Sequence, residues 1–356
     1  MTKRNPNPNT CKYNSPRKRP RTFIQPFHST HREAMSRTIK SFGTISRAEF
    51  LLPNLGSLIM GLAWGATPTT SISELAILII LSFAVINLSS AIGAQANTLS
   101  DRELDSKDER KKNLVEATNS FGIKRLKKVL IIEFALTLAL VAVFMYIQQK
   151  PILLLLWIVG ISLGCAYSLP PLRLKSRSWL APVSLILVLA VFPVLFAYYV
   201  FTYELDPLFL VSLTGLGLTV YGVIIPTEIR DYFGDKSMGI ETLTVRIGLV
   251  KASMLGILFL TAGAALTASA FLMRFAGDQH LFLSILLIAV VVAGFVVLRQ
   301  FRRLYVLSKE YTASDSDNFI GEKIVSLTAQ NPRWIMIITQ TYSAISIVLL
   351  LSKYLL

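Results

Sequence analysis

The strongest constraint in this sequence is a succession of apolar runs, each near the length needed to cross a lipid bilayer. Nine can be traced, near residues 48–66, 74–96, 126–147, 151–169, 179–202, 206–226, 251–273, 280–298 and 334–352. A helix of about 20 apolar residues spans hydrocarbon roughly 30 Å thick. Inside lipid every backbone polar group must be bonded within the structure, so only helices and closed barrels cross. A barrel would show short alternating strands, whereas these runs are continuous. The expected fold is therefore an all-α polytopic membrane protein with nine transmembrane helices. The composition agrees: 53% of the 356 residues are hydrophobic and 16% are charged, which excludes an ordinary soluble domain.

The segments joining these runs alternate in character. Segments 97–125, 170–178, 227–250 and 299–333 carry most of the loop Lys and Arg. Segments 67–73, 148–150, 202–205 and 274–279 are short and nearly uncharged. The positive-inside rule then puts the N-terminus and the basic loops in the cytoplasm. In a prokaryote this means the plasma membrane. The net charge of +15 is read as basic loops facing an anionic membrane surface, with no nucleic-acid partner. Residues 1–46 read as a basic cytoplasmic tail. Its first half, with Asn5-Pro6-Asn7-Pro8 and a basic run from Arg17 to Arg21, has little to bury and repels itself, so disorder is expected there. Residues 30–46 are expected to form a basic interfacial helix. No short apolar segment precedes the first span, so a secretory signal peptide is not expected. The Arg-rich, acid-poor tail also admits an organelle transit peptide, but its prolines and weak amphipathic pattern favour a polybasic membrane-surface tail. Residues 47–352 then form one transmembrane domain.

Two acidic patterns fall in the basic loops. Asn97, Asp101 and Asp105 are spaced by four. Each such step turns a helix by about 400°, so the three share one face, spaced about 6 Å along the axis. Carboxylates at i and i+4 repel by a few tenths of a kcal/mol, a cost tolerated on a wet surface or relieved by a bound cation. The second pattern is Glu228, Asp231 and Asp235. Both follow apolar runs directly, and carboxylates that close to hydrocarbon are usually functional. Two acidic helix ends on one membrane side suggest one shared metal and diphosphate site. Glu103 with Lys107, and Asp108 with Lys112, read instead as ordinary i,i+4 ion pairs on a solvated face, with Glu109 on that face too. Between the two patterns lies Tyr167-Ser-Leu-Pro-Pro-Leu-Arg173-Leu-Lys175. Cys11 and Cys165 suggest neither a disulfide framework nor a metal cluster. Of the three histidines, two lie in the tail, so a histidine base is not expected.

Taken in order, these three motifs resemble the UbiA family of intramembrane prenyltransferases. Its NDxxDxxxD pattern corresponds to Asn97-Thr-Leu-Ser-Asp101-Arg-Glu-Leu-Asp105, its YSxPPLRLK loop to 167–175, and its second acidic motif to Asp231-Tyr-Phe-Gly-Asp235 with the following Gly239, Thr242, Arg246 and Gly248. The resemblance covers about residues 47–352. It implies nine helices around a central cavity, closed by a cytoplasmic cap of loop helices. It also implies Mg²⁺ as cofactor, held by Asn97, Asp101, Asp105, Asp231 and Asp235, with the four aspartates as the catalytic set. An isoprenyl diphosphate would be contacted by Asn97, Tyr167, Arg173, Lys175, Glu228, Arg230 and Lys236, with Arg47 and Asn54 as cavity candidates and Arg102 and Arg246 as weaker ones. For Asn54 a helix–helix hydrogen bond is an equal reading. Two departures stand out. Thr98 replaces the second residue of the first motif, removing one carboxylate. Residues 108–117 lack the NRPxRP continuation of quinone-pathway members, so the resemblance does not specify the acceptor.

The chemistry these residue types allow is ionisation of an allylic diphosphate. Mg²⁺ bridges carboxylates to phosphates and keeps some of its waters, and basic side chains neutralise the leaving diphosphate. The allylic cation needs a dry cavity with π-faces; Trp64, Trp157, Phe196, Tyr198 and Tyr221 are the candidates. The expected activity is prenyl transfer to a lipophilic or aromatic acceptor within the membrane, in contact with membrane lipids. The alternatives are a UbiA-like terpene cyclase acting on the diphosphate alone, or a non-catalytic lipid-binding or transport protein. Against transport, the acidic groups sit at one membrane face, whereas transporter sites lie near the midplane.

Overall fold

The computed structural model describes residues 27–67, 71–108, 111–237, 239–275, 280–314 and 317–355. Residues 1–26, which include the stretch expected to be disordered, lie outside the described residues, as does Glu109. All described secondary structure is helical. In order the helices are α1 Phe27–Ile45, α2 Leu51–Gly65, α3 Ile72–Asp105, α4 Lys112–Phe121, α5 Ile123–Gln148, α6 Pro151–Ser168, α7 Leu180–Ile186, α8 Phe192–Phe201, α9 Pro207–Ser237, α10 Leu243–Ile247, α11 Leu249–Arg274, α12 His280–Ala313, α13 Asn318–Thr328 and α14 Asn331–Leu355. A π-helical turn, Leu187–Val191, joins α7 to α8 into one span.

Seven helical stretches among the described residues are long and apolar enough to cross a membrane. The two remaining expected runs fall on α2 and α12. Helix α2 has 15 residues, about 22 Å at 1.5 Å per residue, and is shorter than the hydrocarbon it was expected to cross. The outer surface is inverted relative to a soluble protein. Ile131, Ile132, Leu136, Val143, Ile158, Leu258, Val291 and Phe295 all stand exposed. Contiguous apolar surface of this kind marks a membrane-facing exterior.

Helix α3 begins where the Ser71 side chain accepts from the Glu74 N–H at 3.3 Å, a cap that supplies a partner to an otherwise orphaned donor. Its 34 residues extend about 50 Å. That exceeds the hydrocarbon thickness by several turns, and those turns carry Asn97, Asp101 and Asp105 out of the apolar layer. Helix α9, with 31 residues, does the same for Glu228, Asp231 and Asp235. Its internal Pro226 lacks an N–H and interrupts the ladder. Beside it, Asn331 of α14 donates to the Val223 carbonyl at 2.9 Å and the Thr227 hydroxyl at 2.7 Å, supplying partners to groups near the interrupted ladder as membrane helices require.

Small residues set the closest approach. A Cβ at Gly215 would lie 2.4 Å from the Thr267 hydroxyl and one at Gly263 2.5 Å from the Gly215 carbonyl, so α9 and α11 meet backbone to backbone. A large core joins α2, α8, α9, α11, α12 and α14, with Tyr221, Phe271 and Phe301 at its centre. A second joins α2, α3, α5, α6 and α8 around Val141, Phe144 and Trp157. Just before the first motif, Gln95 donates to Glu133 of α5 at 2.7 Å and to Ser46 at 3.0 Å, which fixes the rotation of α3. The helix expected over 30–46 is present as α1. Its end packs onto α4 and α5 through Ile45, Phe42, Phe121 and Leu126.

Candidate active site

Between the two cores lies a cavity of about 940 Å³, and both acidic motifs line it. Asn97, Asp101 and Asp105 reach it from α3, and Glu228, Asp231 and Asp235 from α9. Spacing by four keeps the first three on one face, and the long helices bring both faces to the same end. Asp101 is 7% exposed and Asp105 4%. Carboxylates so buried need partners, and basic side chains supply them. Lys175 donates to Asp101 and to Asn97, the latter at 3.4 Å. Arg173 donates to Asp101 at 3.2 Å, and Lys111 to Asp105 at 2.7 Å. Asn97 also accepts from the Ser168 hydroxyl at 2.8 Å. The loop after α6 is thus held against α3 across more than 70 residues of sequence. Arg173 takes a left-handed conformation, φ 39°, which costs a non-glycine residue about 1 kcal/mol or more; its contact to Asp101 accounts for the tolerance.

The two lysines respond differently. Burial pushes Lys175 below the ordinary lysine value, and its bond to Asp101 only partly offsets this. Burial also works against Lys111, but its hydrogen bond to Asp105 and the charges of Asp105, Asp231 and Asp101 outweigh it, so its pKa rises. Lys111 thus lies within electrostatic reach of carboxylates from both α3 and α9.

On the α9 side Glu228 accepts from the Thr244 hydroxyl at 2.9 Å and from the Tyr221 hydroxyl at 3.3 Å. Arg230 reaches Asp231 at 3.5 Å. Tyr167, Arg47 and Asn54 line the cavity. Asn54 also donates to Asn87 of α3 at 2.9 Å, so its helix–helix reading holds too. Arg47 has φ 55° and pairs with Glu49 at 3.5 Å.

Several expectations need correction. Lys236 is exposed and donates to the Tyr232 hydroxyl at 3.4 Å, outside the cavity lining. Arg102 instead bonds Asn119 of α4 at 3.2 Å, and Arg246 is exposed away from the lining. Helix α3 stops at Asp105, before Lys107 and Asp108, so the expected solvated helix face does not extend over them, and Asp108 lines the cavity. Of the aromatic candidates, Trp157 and Phe196 line the cavity. Trp64 packs on Phe271, Tyr198 stacks on Phe209 at 3.8 Å, and Tyr221 packs on Phe259 in the core. Phe192 and Phe50 line the cavity instead; Phe192, four residues before Phe196 on the same helical face, could have been found that way. Lys111 was also missed, although it stands six residues after Asp105. Thr98 is 3% exposed, bonds the Ala94 carbonyl at 3.0 Å and is not part of the lining. The carboxylate lost at this position would not have faced the cavity.

The donor set suits Mg²⁺, a hard cation that takes one or two carboxylates and fills its other positions with phosphate oxygens and water. Among the described residues no three acidic, His or Cys side chains converge as a preformed metal cage, so any such ion would share its shell with a ligand. The cavity's other end, with Ile86, Leu156, Trp157, Val188, Phe192 and Phe196, is apolar.

The fold and this cavity define a polytopic helical membrane protein with a polar, mixed-charge site at one end of an apolar chamber. The chain belongs to the UbiA prenyltransferase family, whose sequence profile matches residues 54–313. No curated protein sequence matches it. Among solved structures, a UbiA homolog from Archaeoglobus fulgidus bound to GPP and Mg²⁺ superposes with a TM-score of 0.59 at 20% identity, covering 84% of this chain and 99% of that one. A digeranylgeranylglyceryl phosphate synthase structure gives 0.57 at 14% identity, covering 90% and 99%. The apo UbiA homolog from Aeropyrum pernix K1 gives 0.54 at 14%, covering 83% and 97%. At these identities the likeness is one of fold.

Proposed function

We propose that this protein is a Mg²⁺-dependent intramembrane prenyltransferase, moving a prenyl group from an allylic diphosphate to a lipophilic or aromatic acceptor. The observation that carries this reading is the joint lining of one cavity by two acidic motifs and five basic side chains, Arg47, Lys111, Arg173, Lys175 and Arg230, with apolar and aromatic side chains beyond. The Archaeoglobus fulgidus homolog was solved with GPP and with DMAPP, each with Mg²⁺, which fits the same donor class here.

Asp101, Asp105, Asp231 and Asp235, with Asn97, would hold Mg²⁺ at the polar end of the cavity. The metal supplies Lewis-acid neutralisation of the phosphate oxygens. Arg173, Lys175 and Lys111 turn from their carboxylates toward the diphosphate as it arrives, and Tyr167, Glu228 and Arg230 orient it. The allylic carbon–oxygen bond breaks with its electron pair going to the diphosphate. The cation left behind faces Phe192, Phe196 and Trp157, whose π-faces stabilise positive charge, in a chamber that excludes water. A carbon or oxygen of the acceptor forms the new bond and loses a proton. Residues 47–352 constitute the catalytic domain and residues 1–46 an accessory tail. The nine runs cross the membrane with the N-terminus and both motifs cytoplasmic, the arrangement that the loop-charge alternation supports.

The test is diphosphate release from a long allylic diphosphate in nanodiscs containing candidate acceptors. Release should require Mg²⁺, stop with EDTA and yield a joined product by mass spectrometry. A hydrocarbon or alcohol derived from the donor alone would establish a cyclase instead. Full activity in EDTA would overturn the reading.

A further inference from the structure

A second concave site lies away from the cavity, between α12 and α13. It is a groove of about 640 Å³ lined by Arg299, Arg302, Arg303, Lys323, Ser326 and Gln330, with apolar side chains between them and no acidic one. Arg299 and Arg303 are one helical turn apart, and like charges so placed repel by a few tenths of a kcal/mol. None of the three arginines is ion-paired with a described residue. All three are exposed, so this is an accessible concentration of positive charge without an internal counter-charge among the described residues.

Its position indicates what would neutralise it. Upstream on α12, Ile288, Val291, Val292 and Phe295 are among the most exposed large apolar side chains. Phe295, Arg299, Arg302 and Val306 fall at steps of four, seven and eleven, on one helical face. That face changes from apolar to basic within one turn, as a surface does where hydrocarbon meets headgroups. On α13 the Lys323 ammonium stands 4.1 Å over the ring of exposed Phe319, an apolar body with a cationic tip suited to the same depth. Guanidinium forks match phosphate oxygens in pairs. Ser326 and Gln330 add hydrogen-bond donors.

We propose that this groove is a binding site for one anionic phospholipid, its phosphate held by the Arg299, Arg302, Arg303 and Lys323 cluster and its acyl chains lying along the apolar face of α12. The argument is independent of the prenyl-transfer reading, because none of these residues lines the catalytic cavity.

The test is native mass spectrometry of the full-length protein released from mixed micelles of phosphatidylglycerol and phosphatidylcholine. One phosphatidylglycerol per chain should be retained, with at least about tenfold preference. Arg302→Gln alone should weaken retention several-fold, and Arg299→Gln/Arg302→Gln/Arg303→Gln should abolish it while diphosphate release continues in neutral micelles, which also reports that the variant is folded. Lys127→Gln/Lys128→Gln removes two exposed charges near the start of α5, outside any such groove, and should leave retention unchanged. Equal loss in both variants would reduce the cluster to diffuse interfacial charge and overturn the proposal. So would equal retention of phosphatidylcholine, or displacement of the lipid by millimolar glycerol phosphate, which would mark a soluble-anion site.

Discussion

The two acidic helix ends reach the same cavity but are fixed by different means. On α3, Asp101 and Asp105 are buried and gripped by Lys175, Arg173 and Lys111, all from segments outside the helix. On α9, Asp231 is less enclosed, its side chain 31% exposed. The best-anchored group there is Glu228, which accepts from the neutral hydroxyls of Tyr221 and Thr244. The first end is therefore held by charge pairs to residues from other segments of the chain. The second combines an ion pair within its own helix, Arg230 to Asp231, with a neutral hydroxyl network around Glu228. The α3 carboxylates therefore depend on the loop at 169–178 and on Lys111 folding back onto the helix, whereas Asp231 meets Arg230 from the adjacent position of its own helix.

The largest expected effect tests whether the two ends work as one. Asp101→Ala and Asp231→Ala should each lower diphosphate release by roughly 10²-fold or more, the scale of losing a major transition-state electrostatic contact. Combined, they should cost far less than the product of the single effects, as residues acting in one unit do. A fully multiplicative double variant would separate the two ends into independent sites.

Next in size is the pH response of the basic side chains. Burial depresses Lys175 while the carboxylates raise Lys111. As pH rises, Lys175 therefore loses its proton first, and with it one positive charge facing the diphosphate. The KM for the donor should climb on the alkaline side before ordinary lysines titrate. Lys175→Arg, always charged, should move that limb to higher pH, whereas Lys111→Arg should not. An unchanged pH profile in Lys175→Arg would remove Lys175 from donor binding.

A few-fold to tenfold change is expected at the apolar end. A Cβ at Gly160 would approach Phe192 to 3.4 Å, and both line the chamber. Gly160→Val should raise KM for long donors more than for short ones. Equal effects on both lengths would show that the prenyl chain lies elsewhere. The smallest effect belongs to Glu103→Ala, which removes an exposed carboxylate outside the lining and should leave turnover unchanged within a factor of two.

The parts legible in the sequence were those governed by local periodicity. Run length set the helical membrane class, and a spacing of four put Asn97, Asp101 and Asp105 on one face whatever surrounds them. The family pattern pointed to the loop at 167–175 for diphosphate contact, whereas its ion pairs to Asp101 appear only in the fold. What stayed hidden depends on how each helix is rotated and what it meets far along the chain. Trp64, Tyr198 and Tyr221 are as aromatic as Phe192, but close packing through Gly61, Gly65 and Gly222 turns their helix faces into the core. Lys236 looks as suitable as Lys111, yet it follows Asp235 by one residue on α9 and points outward, while Lys111 folds back onto Asp105 because α3 has ended. Thr98 reads as a lost ligand only until its neighbours on the helix are known.

If both motifs form a single metal-dependent diphosphate site, equilibrium binding of a non-ionising allylic diphosphate analogue depends on both at once. Calorimetric titration of the protein in nanodiscs with Mg²⁺ should give one analogue per chain, with binding lost in EDTA and severely weakened in both Asp105→Ala and Asp235→Ala. Two analogues per chain, or unimpaired binding in either variant, would contradict it.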